Sequence, residues 1–448
     1  MLGLAPQRNY SKTPAYAGDD RGKKILEGIK LKKNYKRLFF PNNFFWGAAT
    51  SAHQVEGYGV NNWSEWEKSK KRLDELKRSG ELAIYGQANY ISGKACNHYD
   101  LYEEDFQLAK DLGHNCTRLS ISWARIQPDK DRFDKSAIEH YKKVLLFLRK
   151  LDLEPFVTIW HWDLPLWLTE EGGWLSSKTP EYFRSYVKIL CDELGDLVNY
   201  WITINEPLVY ASNSYQKGSW PPQHKSFAKV YKVLKHMIKG HILAYKDIKQ
   251  NNEKAFVGIA KNNVYFGGGL FKKPLRYFWN YYFLNKLEQR YDFIGLNFYF
   301  ENNIHSLLEK LLRKSHRKKK LKYSDMGWLL KPRSIKYTIA ELKKYGVPIF
   351  ITENGLADAE DKYRKDFISQ ALYGVYEAIQ QGADVRGYMH WSLMDNFEWA
   401  EGFWPRFGLI GIDYKTQKRK IRPSAHYYKK ICTSNSLDEK EIIKSNIF

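Results

Sequence analysis

Two glutamates each lie at the end of a short run of β-forming residues. Glu206 closes YWITINE (Tyr200–Glu206), and Glu353 stands one residue from the end of PIFITEN (Pro348–Asn354). Two carboxylates facing one another can cleave a glycosidic bond: one protonates the departing oxygen, the other stabilises or attacks the anomeric carbon. Taken singly, either glutamate is equally well explained as a salt-bridged or metal-binding residue. A divalent-metal site needs several carboxylates and histidines to converge, and His161 and Glu398 are the side chains that would join it. Other apolar runs also end in polar residues: Arg118, His161, Asn205, the pair Asn297 and Tyr299, and Trp391. Gln54 and Glu56 follow the first run.

Such residues are useful only if the runs are strands that share one end. The runs are Phe44–Thr50, Asn115–Ser122, Pro155–His161, Tyr200–Glu206, Ala255–Lys261, Asp292–Tyr299, Pro348–Asn354 and Arg386–Ser392. Between them lie amphipathic stretches such as Ser136–Leu151 and Arg364–Gln381, with apolar residues at helical spacing. Eight apolar strands alternating with helices predict an α/β fold, a single (β/α)₈ TIM barrel, whose active groups gather at the C-terminal strand ends. A doubly wound open sheet is the other arrangement of such elements, but its Gly-rich phosphate turn is missing. The expected organisation is a basic N-terminal extension over 1–37, a catalytic barrel over 38–432 and a polar, peripheral C-terminal tail over 433–448.

Several segments resemble glycoside hydrolase family 1, the β-glucosidase family. TINEP (Thr203–Pro207) and ITENG (Ile351–Gly355) look like its two signature segments. FFWGAATSAHQVEG (Phe44–Gly57), TRLSISWARIQP (Thr117–Pro128), WHWDLP (Trp160–Pro165), GLNFY (Gly295–Tyr299) and HWSLMDNFEWAEGF (His390–Phe403) resemble further segments in the family's order, and RFGLIGIDY (Arg406–Tyr414) follows. The resemblance spans roughly residues 38–430.

The resemblance implies a retaining, exo-acting β-glycosidase with no metal and no cofactor. Glu206 would be the general acid/base and Glu353 the nucleophile, with Arg118 holding the Glu353 carboxylate and Tyr299 orienting it. Gln54, His161, Asn205 and Glu398 would bind sugar hydroxyls. Trp391 and Trp399 would supply a stacking face and an indole N–H. Relatives that act on 6-phosphorylated sugars carry a Ser/Lys/Tyr set where this chain has Glu398 and Trp399, and Glu398 would repel a phosphate. Unphosphorylated β-glucosides are therefore expected, with β-galactosides, β-fucosides or β-mannosides as secondary substrates. Thioglucosidases of the family carry Gln at the acid/base position, so Glu206 points to O-glycosides. Three features depart from the pattern: Trp404-Pro405, expected to narrow the pocket; a short Asn262–Tyr291 segment; and the basic run Arg313–Lys322, expected to border the mouth. The same residues would also serve transglycosylation, and a noncatalytic sugar- or polyanion-binding barrel is the reading from a different class.

Composition sets the outer limits. The 448 residues are 43% hydrophobic and 16% aromatic, ample for one large core and for flat platforms against sugar faces. A formal net charge of +22 attracts polyanions, nucleic acid or anionic lipid alike. The basic clusters Arg21–Arg37 and Arg313–Lys322 lack interleaved aromatics and any nucleic-acid-binding motif, so no specific nucleic-acid partner is expected. Cys96, Cys116, Cys191 and Cys432 have neither metal-ligand nor redox spacing. The N-terminal residues show no continuous apolar signal region, and no run approaches the ~18 apolar residues of a membrane span. These features point to a cytoplasmic protein, and the resemblance implies that its partner is a small β-glycoside or oligosaccharide.

Overall fold

The computed structural model describes residues 35–266, 272–301, 321–445 and 447. Arg37–Phe39 forms β1. Eight parallel strands then close a barrel in sequence order: Phe45–Ala49 (β2), Cys116–Ser120 (β3), Glu154–Trp160 (β4), Tyr200–Asn205 (β5), Phe256–Asn262 (β6), Phe293–Asn297 (β7), Ile349–Asn354 (β8) and Val385–Trp391 (β9). Each falls on one of the eight apolar runs. These strands are buried on both faces, so their sequences are near-continuous hydrophobic runs rich in β-branched and aromatic residues. The barrel closes where β9 pairs with β2, from Phe45 opposite Gly387 to Ala49 opposite Trp391. A side chain at Gly387 would run into the Cβ of Phe45 at 2.8 Å, so glycine lets the seam shut.

Helices return the chain between strands, as their periodicity requires. Lys135–Lys150 starts at Asp134, whose carboxylate accepts from the amides of Ser136 and Ala137. Its Ile138, Tyr141, Val144, Leu145 and Leu148 form the buried stripe. Arg364–Gln380 matches the expected second helix to within one residue.

Among the described residues, two short antiparallel pairs complete the sheet structure: Ile410–Ile412 (β10) with Arg419–Ile421 (β11), and β1 with Ser436–Asp438 (β12). The β1–β12 pair corrects the picture of residues 433–448 as a peripheral tail. Asn435 accepts from the Trp46 indole at 2.9 Å, Leu437 is fully buried, and Ile442 and Ile447 are buried too, Ile447 in a separate cluster with Leu330, Leu356 and Phe367. Isolated apolar residues in an otherwise polar stretch, too few to show a period, do this work. Residues 1–34, with most of the Arg21–Arg37 cluster, lie outside the described residues, as does Arg313–Lys322 apart from Leu321 and Lys322.

Candidate active site

Ten side chains were singled out from the sequence, and the C-terminal strand ends bring them together. Arg118 on β3 is fully buried and each part of its guanidinium is engaged. Nε donates to Thr158 Oγ1 at 3.0 Å, Nη2 to Asn205 Oδ1 at 2.7 Å, and Nη1 to Glu353 Oε1 and to the Thr352 carbonyl. Tyr299 donates its hydroxyl to the other Glu353 oxygen at 2.5 Å. Glu353 is thus gripped at both oxygens by groups from β3 and from the loop after β7. Gly355 lies two residues further on, where any Cβ would overlap the Trp391 carbonyl oxygen at 1.7 Å. The tight passage of β8 beside β9 therefore requires glycine at that point.

Glu206 sits across the same mouth. Its backbone adopts φ of +43°, a strained value for a residue with a side chain, between the end of β5 and a helix opening at Pro207. The Glu206 amide donates to the Ala260 carbonyl at 2.9 Å, tying the turn to β6. Its Oε1 accepts from Asn297 Nδ2 at 2.9 Å and from Asn262 Nδ2 at 3.2 Å. Asn297 also donates to Asn205 and accepts from Thr352, so a continuous chain of hydrogen bonds joins Glu206 to Arg118 and Glu353.

The two carboxyl groups share a site but not an environment. Burial and the nearby Glu353 carboxylate push Glu206 up to about 8, against the pull of Asn297, Asn262 and Arg118. Burial raises Glu353 too, but there the Arg118 ion pair and the Tyr299 hydroxyl oppose the rise and favour the ionised form. This is the asymmetry that separates an acid from an ionised partner. Tyr299 is held well above its usual range by burial and by Glu353, so it remains a donor.

The remaining residues line one side. His161 Nε2 accepts from Asn205 Nδ2 at 2.9 Å, because Asn205 Oδ1 already receives Arg118 and Asn297. That network assigns the imidazole proton to Nδ1, which meets no protein partner. Burial and Arg118 keep this ring neutral. Gln54 Nε2 donates to the Phe397 carbonyl at 2.9 Å, to Asn396 at 3.0 Å and to Glu398 at 3.4 Å. Burial, reinforced by the Glu353 carboxylate, raises Glu398 to about 8, and the Trp391 indole counteracts part of that shift. Trp399 and Trp391 stack near His161, with ring centres 5.9 and 6.1 Å away.

Sequence reasoning overlooked part of the surround. Asn262 lies one residue past the expected end of the fifth run, so extending that run by a single position would have exposed it. Trp63, Trp162 and Trp220 wall in Trp399 at 4.6, 4.8 and 6.4 Å, and Trp162 donates to the Asn205 carbonyl. They carry no strand-end signal and belong to connecting segments. Trp404 stacks on Tyr85 at 5.4 Å, so its ring leans on the short helix Glu81–Tyr85 between β2 and β3.

A closed (β/α)₈ barrel with two buried carboxyl groups and a ring of polar and aromatic side chains at one mouth has the architecture of a glycoside hydrolase. The glycosyl hydrolase family 1 model matches residues 36–266 and 282–437, passing over 267–281, and the chain belongs to that family. Beta-glucosidase A of Thermotoga maritima is 29% identical over 454 aligned residues, covering 89% of this chain and 99% of that protein. Beta-glucosidase 42 of Arabidopsis thaliana is 32% identical, covering 88% and 94%. The solved beta-glycosidase from Pyrococcus horikoshii superposes with a TM-score of 0.78 at 33% identity, covering 92% of this chain and 99% of that one. A family 1 β-glucosidase from Thermotoga maritima, solved with isofagomine lactam, gives 0.78 at 28% identity, covering 89% and 99%. The chain is therefore a β-glycosidase that hydrolyses O-glycosyl compounds.

Proposed function

We propose that this chain is a retaining, exo-acting β-glycosidase of unphosphorylated β-D-glucosides, with β-galactosides, β-fucosides or β-mannosides as secondary substrates. The observation that carries this reading is the unequal treatment of Glu206 and Glu353. Glu206 keeps its proton near neutral pH and donates it to the departing oxygen. Glu353, gripped by Arg118 and Tyr299, attacks the anomeric carbon and forms a glycosyl-enzyme. With the aglycone gone, Glu206 takes a proton from the incoming water, which displaces Glu353 and returns the sugar with its original configuration.

The sugar is held from one side. His161 offers its Nδ1 proton, Asn205 contacts the 2-hydroxyl, and Gln54 and Glu398 together accept and donate to two outer hydroxyls. Trp391 and Trp399 supply the apolar face and an indole donor. A 6-phosphate would meet Glu398, which offers no positive charge to pair with it, so the phosphorylated substrate is disfavoured. All four cysteines are buried and unpaired, which supports a reducing, cytoplasmic setting.

The stereochemistry of the first product tests this reading. Proton NMR of an aryl β-D-glucoside digest should show the β-anomer first, with the α-anomer growing in later by mutarotation. An α-anomer formed first overturns the two roles. Turnover of the 6-phosphoglucoside in preference to the free glucoside overturns the substrate assignment.

A further inference from the structure

We infer that the fourth and fifth βα segments of the barrel form a docking surface for an anionic lipid bilayer. The inference stands independently of the roles proposed for Glu206 and Glu353. Pro207 to Lys246 spans forty residues without one Asp or Glu, and includes the seven lysines 217, 225, 229, 232, 235, 239 and 246. The next segment, Lys254 to Leu287, is again free of acids and holds Lys254, Lys261, Lys272, Lys273, Arg276 and Lys286. Within the two segments the charge is of one sign; Lys239 meets Glu181 and Arg276 meets Glu341 from neighbouring elements and Lys261 is buried, so the surface charge rests on other lysines, Lys232, Lys235 and Lys273 among them.

Their outward faces are also apolar. The helix Phe227–Asn251 exposes Phe227 (74%) and Tyr231 (57%) at its start. The helical stretch Lys273–Asn285 exposes Leu275 (53%), Tyr277 (48%) and Phe278 (39%). Ring contacts join the two: Tyr231 lies 6.2 Å from Tyr282, which stacks on Phe278 at 5.5 Å. Lys232, Lys235 and Lys273 are exposed around them.

Exposed aromatic and aliphatic tips ringed by lysines match the headgroup layer of an anionic membrane. The apolar tips enter the acyl boundary while the lysine stems lie along it and their ammonium groups meet phosphates. A nucleic acid would use the rings as stacking platforms, but Leu275 cannot stack on a base. The position is suggestive for a glycosidase. The helix Phe227–Asn251 follows β5 and the stretch Lys273–Asn285 follows β6, so both are reached from the end of the barrel at which Glu206 projects. Leu275, Tyr277 and Phe278 fall within the residues that the family pattern passes over, whereas Phe227 and Tyr231 lie within the matched part.

Co-sedimentation of the full chain with vesicles at physiological salt tests the surface. Phosphatidylcholine vesicles and vesicles of phosphatidylcholine with phosphatidylserine are compared. Wild type should bind the second and not the first. The triple variant Phe227→Ser, Leu275→Ser, Phe278→Ser should bind at least about tenfold more weakly, as should Lys232→Glu, Lys235→Glu, Lys273→Glu. Near-UV circular dichroism reports that each variant keeps its tertiary structure. Three results overturn the inference: no wild-type binding to phosphatidylserine vesicles; undiminished binding by the serine variant, which marks charge adhesion from elsewhere; or equal loss of RNA binding in the serine variant, which marks a polyanion site.

Discussion

At the N-terminal end of the barrel interior, the Phe156 ring lies 4.3 Å from Tyr200, 5.1 Å from Phe350 and 5.4 Å from Phe45, with Phe293 at the edge of the group. Two residues further along β4, Thr158 instead meets Arg118, and the layer above is amide, guanidinium and carboxylate. The same strands therefore build an apolar plug and, one layer higher, a polar network. The plug gains stability from packing. The network is stable only because nearly every member has a partner, since an unpaired buried charge costs several kcal/mol. Carrying a scaffold and a reaction on the same strands confines each to one end.

The sharpest way to break this division is to exchange the expected losses. Glu353→Gln should lower kcat on an aryl β-D-glucoside by on the order of 10⁴-fold or more, with the near-UV spectrum unchanged. Phe156→Ala should do the reverse. It should shift the urea midpoint by an amount equivalent to about 3–5 kcal/mol, with kcat preserved while the chain stays folded. An active Glu353→Gln, or a Phe156→Ala that loses activity without losing stability, would dissolve the distinction.

A second comparison lies inside the polar layer. Glu206→Gln should reduce turnover of an alkyl glucoside by about 10²–10⁴-fold, and that of a nitrophenyl glucoside far less, because the better leaving group needs no proton. In wild type, kcat/KM should fall as pH rises through about 8, where Glu206 loses its proton. A pH profile flat to pH 9 would contradict its role as acid.

Glu398 makes a stability prediction with a defined sign. Its folded carboxyl is raised from 4.5 to about 8, so the folded state holds a proton that the unfolded chain releases. That contribution is complete below about 4.5 and is lost as pH rises through 8. The loss should be on the order of a few kcal/mol. Buried His114 and His241, lowered to about 3 and 4, and Lys261, lowered to about 7, act in the opposite direction. The difference between wild type and Glu398→Gln in urea titrations isolates Glu398. That difference should change between pH 5 and 8; if it stays constant, the carboxyl is not held protonated.

The smallest effect belongs to the open N-terminal rim. Arg386 pairs with Asp384 at 2.8 Å with both side chains about half exposed. Arg386→Ala should cost less than ~1 kcal/mol, and added salt should shrink even that. A larger loss would mean that charge matters at both ends of the barrel.

The eight strands were legible because each is buried on both faces and must be apolar throughout. The residues at their ends were legible because polarity there has no structural motive. Asn262 escaped only because its strand runs one residue further than its apolar stretch. The Trp63, Trp162 and Trp220 wall escaped because those rings come from connections whose lengths say nothing about where they fold back. The anchoring of residues 436–447 escaped because a few isolated apolar residues show no period.

What the sequence by itself determined is the inventory: eight strands, their order, and a carboxyl group near the ends of the fourth and seventh. What only the tertiary structure decided is which face those groups occupy. Side chains alternate along a strand, and counting from inward-facing Phe350 would aim Thr352 and Asn354, not Glu353, at the barrel axis. An irregularity in the β8–β9 pairing between Ile351 and Asn354 breaks that count, and another between Ile202 and Asn205 lets Asn205 and Glu206 both reach the mouth. The different surroundings of the two glutamates, with Arg118 and Tyr299 on Glu353 and Asn297 and Asn262 on Glu206, arise in the same way, from neighbours that the chain brings together only when the barrel closes.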